Sequence, residues 1–212
     1  MYKRWYVPFH QSFVHSSSDP TIITIPSFFT EEECDNIISK STKFTSGSVA
    51  SNTNNTRKDI KDQSLRECQV AWFDPKRALF AKELRERVAK ILGVSPETGE
   101  NIQVAKYEPG GFFVPHFDSF DENLMKVYGN VGGFGPTGQR IYTAIIYLNT
   151  CVGGSTIFPE LGIKIPPEKG KLLLFDLVDG NNKMLPSHLH EGAKVLEGQK
   201  WICTLWFREG FR

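Results

Sequence analysis

The residues to weigh first are His116 and Asp118, at the end of the run Tyr107-Glu108-Pro109-Gly110-Gly111-Phe112-Phe113-Val114-Pro115-His116-Phe117-Asp118. A Pro-Gly-Gly turn separates the alternating segment 101–106 from the short apolar run that delivers the chain to His116. Along a strand, residues two apart face the same side, so an imidazole and a carboxylate project into one space. That pair is two-thirds of the facial set of two histidines and one carboxylate that holds non-haem Fe(II) and leaves coordination positions open. His-x-Asp alone is short enough to arise by chance. The reading needs a second histidine and a cosubstrate pocket. Downstream, Leu185-Pro186-Ser187-His188-Leu189-His190-Glu191-Gly192 offers two histidines, and Lys200 follows ten residues after His190, in Gly198-Gln199-Lys200-Trp201.

The rest of the chain must position these groups. At 212 residues it suits one domain with a sizeable core, here residues 21–212 behind an N-terminal arm of residues 1–20 that carries His10 and His15. A net charge of +1 gives no electrostatic reason to expect a nucleic acid or a membrane surface. No apolar run has the length of a membrane span or a signal peptide core. Four scattered cysteines, Cys34, Cys68, Cys151 and Cys203, lack the spacing of a zinc site or a disulfide framework. The expectation is a soluble, cytoplasmic chain with reduced thiols.

In order, residues 21–25 read as a β-branched strand, and Thr30-Glu31-Glu32-Glu33 as the capping box of a helix to about Lys40. Residues 45–64 are almost purely polar and read as a loop that is mobile until it folds over a bound peptide. Residues 65–73 read as a strand, and Asp74-Pro75 opens a helix over 76–92 stopped by Gly93. After a Gly-rich polar insertion, 121–139, residues 140–148 form the strongest strand, apolar on both faces. A turn and short strand over 153–159 follow, then short strands at 163–165, 171–176 and 201–207. Two helices followed by many short strands predict a mostly β, α+β fold. The expected form is a jelly-roll barrel, or double-stranded β-helix, braced by N-terminal helices.

His116-x-Asp118, His190 and Lys200, with Arg140-x-x-Thr143-x-x-x-Tyr147 and Gly153-Gly154-x-Thr156-x-Phe158-Pro159 between them, resemble the prolyl 4-hydroxylase family of Fe(II)/2-oxoglutarate dioxygenases, over roughly residues 21–208. The resemblance implies His116, Asp118 and His190 as Fe(II) ligands. It implies Lys200 as the cation facing the far carboxylate of 2-oxoglutarate, a pocket lined by Tyr107, Tyr147, Thr156 and Thr204, and Arg140 and Trp206 beside the substrate. Implied too are O2, ascorbate as reductant, and a peptidyl-proline substrate hydroxylated with release of succinate and CO2. His188 is the alternative to His190; the Leu-His-x-Gly context and the step to Lys200 fit His190. At two positions that face substrate in the family, this chain has Phe113 and Arg208 where tyrosine and histidine are usual. The other readings are a lysyl hydroxylase, a nucleic-acid demethylase, for which no basic stripe is visible, and a cupin-like metal-binding module, which needs no Lys200.

Overall fold

The computed structural model describes residues 13–16, 21–47, 49–53, 56–60, 62–128 and 137–210. Its strands are β1 (Phe13–Ser16), β2 (Ile22–Ile25), β3 (Thr45–Ser46), β4 (Val49–Thr53), β5 (Thr56–Ile60), β6 (Gln69–Phe73), β7 (Ile102–Tyr107) and β8 (Phe113–His116). The second half adds β9 (Thr137–Tyr147), β10 (Val152–Gly153), β11 (Thr156–Phe158), β12 (Ile163–Ile165), β13 (Leu172–Asp176), β14 (His190–Gly192), β15 (Val195–Glu197) and β16 (Lys200–Gly210). The helices are α1 (Glu31–Lys40), α2 (Leu79–Leu92) and α3 (Glu122–Tyr128).

Local chemistry sets the helix ends. The Thr30 hydroxyl accepts from the Glu33 amide at 3.1 Å while the Glu33 carboxylate accepts from the Thr30 amide at 2.9 Å, which is the expected capping box. Gly93 ends α2 at φ 68°, a left-handed conformation that costs glycine nothing. The start of α2 is later than predicted: the Asp74 carbonyl accepts from Arg77 and Ala78, so Asp74-Pro75 first makes a turn.

The strands form an eight-stranded antiparallel sheet, in the order β1-β2-β13-β9-β16-β7-β6-β3, and a four-stranded sheet, β12-β11-β14-β8. Two short ribbons, β4-β5 and β10-β15, complete the set. The large sheet is buried on both faces, and its two faces differ. Cys203, Leu205 and Phe207 of β16, with Ala144 and Ile146 of β9 and Leu172 and Leu174 of β13, share one apolar cluster with Cys34 and Ile37 of α1 and Leu84 and Val88 of α2. The alternate residues, among them Gln103, Thr143, Lys200 and Thr204, are polar yet buried. This second face looks onto the four-stranded sheet, as the edge-to-face contact between Phe175 of β13 and Phe158 of β11 at 5.1 Å shows. The architecture is the double-stranded β-helix expected from the sequence.

Three expectations need correction. Residues 45–64 are not a bare loop: β4 and β5 pair from Val49↔Ile60 to Thr53↔Thr56. The run 65–73 is one strand only in its second half. Its first half serves the smaller sheet, where Val114 donates to Leu65 O and Glu67 to Phe112 O, both at 3.0 Å, and the chain crosses to the large sheet at Cys68. The insertion 121–139 contains α3, whose first turn is held by Leu124 N donating to Asp121 Oδ1 at 2.7 Å. Residues 13–16 of the N-terminal arm add β1 beside β2; His10 lies outside the described residues. No helix among the described residues is long and apolar enough to cross a membrane.

Candidate active site

His116 ends β8 and His190 begins β14, and the two strands pair with these residues directly opposite. Asp118 follows two residues after His116. Their ligand atoms all lie within 4.8 Å of one another. Nε2 of His116 is 3.7 Å from Asp118 Oδ1, and Nε2 of His190 is 3.6 Å from Oδ2. Each imidazole is turned by its other nitrogen. Nδ1 of His116 meets the Val114 carbonyl at 2.8 Å, and Nδ1 of His190 meets the His188 carbonyl at 3.0 Å. A carbonyl can only accept, so Nδ1 carries the proton and the Nε2 lone pair is left facing the shared centre. The Thr143 hydroxyl donates to Asp118 Oδ2 at 2.7 Å and fixes the carboxylate. Burial and the neighbouring His190 push His116 down to about 3, despite the opposing pull of Asp118. Burial alone would raise Asp118, but His190, His116, Arg140 and the Thr143 hydrogen bond hold it at about 2. A neutral imidazole and an ionised carboxylate are the protonation states that a divalent metal requires, so the trio fits Fe(II).

His188 belongs elsewhere. Its Nδ1 bonds the Asp176 carbonyl, its ring packs between Phe158 and Phe175, and it is not one of the trio.

Lys200 opens β16 opposite Tyr107 and is only 2% exposed. Its Nζ lies 5.2 Å from the Tyr107 ring centre and 6.0 Å from that of Tyr147. Among the described residues no carboxylate pairs with it, and burial pushes the ammonium down to about 8. A buried cation of this kind calls for an anion from outside the fold. Gly192 lies two residues past His190 on β14, opposite Thr156, and a Cβ there would sit 3.8 Å from the Lys200 Nζ. The cation and the trio are thus offset along one strand by two residues, roughly 6–7 Å, a span that suits a short dicarboxylate. Gly154, at φ 63°, crosses the Lys200 side chain so closely that a Cβ would lie 3.0 Å from its Cδ. The Tyr147 hydroxyl donates to Thr156 Oγ1 at 2.7 Å. Burial pushes the phenols of Tyr107 and Tyr147 up, so both remain donors. Thr204 is buried on the same face of β16 as Lys200. The structure therefore brings Tyr107, Tyr147, Lys200 and Thr204 of the large sheet together with Thr156 of the smaller one, beside the trio.

Arg140 reaches this face through an irregularity. Phe207 pairs with Tyr142 but Arg208 pairs with Arg140, so β9 spends two residues where β16 spends one. Simple alternation would send Arg140 towards the helices with Tyr142; the extra residue turns it back. Its guanidinium lies 4.2 Å from the Trp206 ring centre, and its Nη1 donates to the Asp118 carbonyl at 3.4 Å. Glu100 accepts from Nε and Nη2 of Arg140 and from Nε of Arg208, each at 2.7 Å. Burial would raise the Glu100 carboxyl, but the two guanidinium groups hold it below its usual value.

Sequence reasoning missed Glu100 and Arg66. Arg66 is buried, donates to Gln103 Oε1 at 2.7 Å, and lies over the Phe113 ring at 4.6 Å. Phe113 in turn stacks on His116 with centroids 3.5 Å apart, so the position where the family usually has a tyrosine hydroxyl is an apolar wall here. The partners of Glu100 named above lie 40 and 108 residues away, and those of Arg66, Gln103 and Phe113, lie 37 and 47 away, so no local pattern marks them.

Residues 102–208 match the model of the 2OG-Fe(II) oxygenase superfamily. A putative prolyl 4-hydroxylase of Acanthamoeba polyphaga mimivirus is 35% identical over 150 residues, covering 70% of this chain and 60% of that protein, so the chain spans less than two-thirds of that relative. Probable prolyl 4-hydroxylase 8 of Arabidopsis thaliana is 30% identical over 211 residues, covering 90% of this chain and 69% of that one. Among solved structures, a viral collagen prolyl hydroxylase from Paramecium Bursaria Chlorella virus-1, in its 2OG complex, is 26% identical with a TM-score of 0.66, covering 90% of this chain and 96% of that one. The matched region runs from β7 through β16 and so contains the trio, Lys200 and the strands that hold them: this chain belongs to the 2OG-Fe(II) oxygenase superfamily.

Proposed function

We propose that this protein is an Fe(II)- and 2-oxoglutarate-dependent dioxygenase that hydroxylates prolyl residues of a peptide or protein, with release of succinate and CO2. One observation carries the reading: two imidazole lone pairs and a carboxylate converge beside a buried lysine that has no acidic partner among the described residues. Relatives whose names specify prolyl 4-hydroxylase support proline as the target. Fe(II) with 2-oxoglutarate and O2 supplies the oxidising chemistry when bound, with ascorbate as reductant. His116, Asp118 and His190 would hold the metal. The Val114 and His188 carbonyls keep both rings in the ligating tautomer. Lys200 neutralises the far carboxylate of the cosubstrate, with Tyr107, Tyr147, Thr156 and Thr204 as its walls. Arg140 and Trp206 flank the peptide, and Glu100 sets the position of Arg140. The closed apolar walls of Phe113, Phe158 and Phe175 limit water around the trio. All four cysteines are free thiols, which supports a reducing compartment.

The test is turnover of 2-oxoglutarate to succinate with a panel of proline-rich, lysine-containing and nucleic-acid substrates, followed by mass spectrometry. One added oxygen on proline is the expected result. Oxidation found only on lysine, or only on a methylated base, replaces this reading with one of its alternatives.

A further inference from the structure

On the helix side of the fold, away from the trio, lies a cleft that no described residue fills. It runs between α1 and α2 with a volume of about 460 Å³, over a floor of Phe29, Ile37, Phe80 and Leu84. Phe29, Ile37 and Leu84 are buried and Phe80 is half-buried, so the opening gives onto apolar side chains. At the rim, Glu33 accepts from Arg87 Nη1 at 2.7 Å, and Arg87 Nη2 donates to the Phe28 carbonyl at 2.6 Å. With that pair engaged, the carboxylates of Glu83 and Glu86 outnumber the ammonium of Lys90. An apolar cleft with a polar rim marks an interaction site, and this one is acidic on balance.

The direction of β1 says what reaches the cleft. Phe13 pairs with Thr24 and Ser16 with Ile22, so β1 runs against β2. Its first residue lies at the end of β2 that leads through Phe28 and Phe29 into α1. Residues 1–12 therefore join the fold at the Phe29 end of the cleft. Fully extended, a segment of that length reaches about 40 Å. The cleft follows α2 from Phe80 to Lys90, roughly 15 Å at the helical rise. Composition fits as well as length. Met1-Tyr2-Lys3-Arg4-Trp5-Tyr6-Val7-Pro8-Phe9 carries four aromatic side chains, two cations and no acid, in a chain that is 12% aromatic as a whole. Such a segment has apolar surface to bury and positive charge to place, and the cleft accepts both. Covalent attachment gives it an effective concentration that a free partner does not match. We infer that residues 1–9 fold back into the α1–α2 cleft of their own chain, seating Trp5 on the apolar floor and setting Lys3 and Arg4 against Glu83 and Glu86. The arm is then a strap that ties the two bracing helices together. This does not depend on the dioxygenase reading.

The experiment puts the photoreactive residue p-benzoylphenylalanine in place of Trp5 in the full chain, irradiates the dilute protein and maps the cross-links by mass spectrometry. Cross-links within one chain to Phe29, Ile37, Phe80 or their neighbours on α1 and α2 are the expected result. Cross-links that join two chains overturn the inference in favour of a second copy, and cross-links confined to other elements overturn it outright. A second measurement does not rely on photochemistry. Trp5→Ala should speed amide exchange in α1 and α2 about ten-fold, as loss of one buried aromatic side chain does, and Trp5→Phe should restore most of the protection. Phe80→Ala removes part of the floor and should speed the same amides. Combined with Trp5→Ala, it should add less than it does alone, because both variants break one contact. Exchange in Trp5→Ala no faster than in the wild-type protein, or strictly additive effects of the two variants, overturns the strap.

Discussion

His188 and His190 are two residues apart and should respond to truncation in opposite ways. His190→Ala removes a lone pair from the trio and is expected to abolish Fe(II) binding and activity. His188→Ala removes a hydrogen bond to the Asp176 carbonyl and the packing against Phe158 and Phe175. It should lower stability while leaving the metal site loaded; calorimetric titration with Fe(II) under anaerobic conditions separates the two. Lys200→Ala leaves a cosubstrate carboxylate unpaired in a buried site, a loss typically of about 3–5 kcal/mol. The expected result is 2-oxoglutarate binding weakened by two orders of magnitude or more, with metal affinity nearly intact. The pH dependence follows from the same side chain. Because burial holds Lys200 near 8 in the free protein, the cation is present below that pH and lost above it. Anion binding stabilises the protonated form, so 2-oxoglutarate affinity should be flat below about pH 8 and fall as pH rises through it. Lys200→Arg, charged throughout, should flatten the upper part of that profile.

The β4-β5 ribbon lies beside α3. A two-stranded ribbon is marginal by itself. Amide exchange in residues 49–60 should slow when a proline-rich peptide and 2-oxoglutarate are added, while β9 and β16 stay protected in both states. Equal exchange with and without peptide would leave the ribbon a connection only. Its pairing was hidden in the sequence because Val49, Thr53, Thr56 and Ile60 are isolated among polar residues. The capping box of α1, the Gly93 stop and the strand at 201–207 were legible because each is written in neighbouring residues. The extra residue of β9 was not: it is defined only by the partner strand. The Arg140–Glu100–Arg208 cluster was hidden for a like reason, since its members are 40 and 108 residues from Glu100. Glu100→Ala leaves two guanidinium groups together without their carboxylate. Unfolding free energy should drop by about 3–5 kcal/mol in urea titration, and the peptide KM should rise with it.

Across the molecule the two faces of the large sheet divide the labour. The helix side carries the apolar cluster, and the order of two helices followed by strands was enough to foresee the helices as a brace. The other side buries Gln103, Thr143, Lys200 and Thr204, and only the ordered motifs gave these polar residues a meaning, because a buried threonine on a core strand looks structural until Asp118 is seen beside it. The isolated Lys200 ammonium also has a consequence for the lifetime of the protein. Without its dicarboxylate the fold contains an unneutralised ion, and thermal unfolding should begin early. Saturating 2-oxoglutarate with metal should raise Tm by mass action, about 2.7 kcal/mol of added stability at a hundred times Kd. Lys200→Met should melt later than the wild-type apo protein and gain nothing from 2-oxoglutarate. A cell short of this small acid would then hold fewer intact copies, so abundance as well as turnover would follow the supply of the cosubstrate.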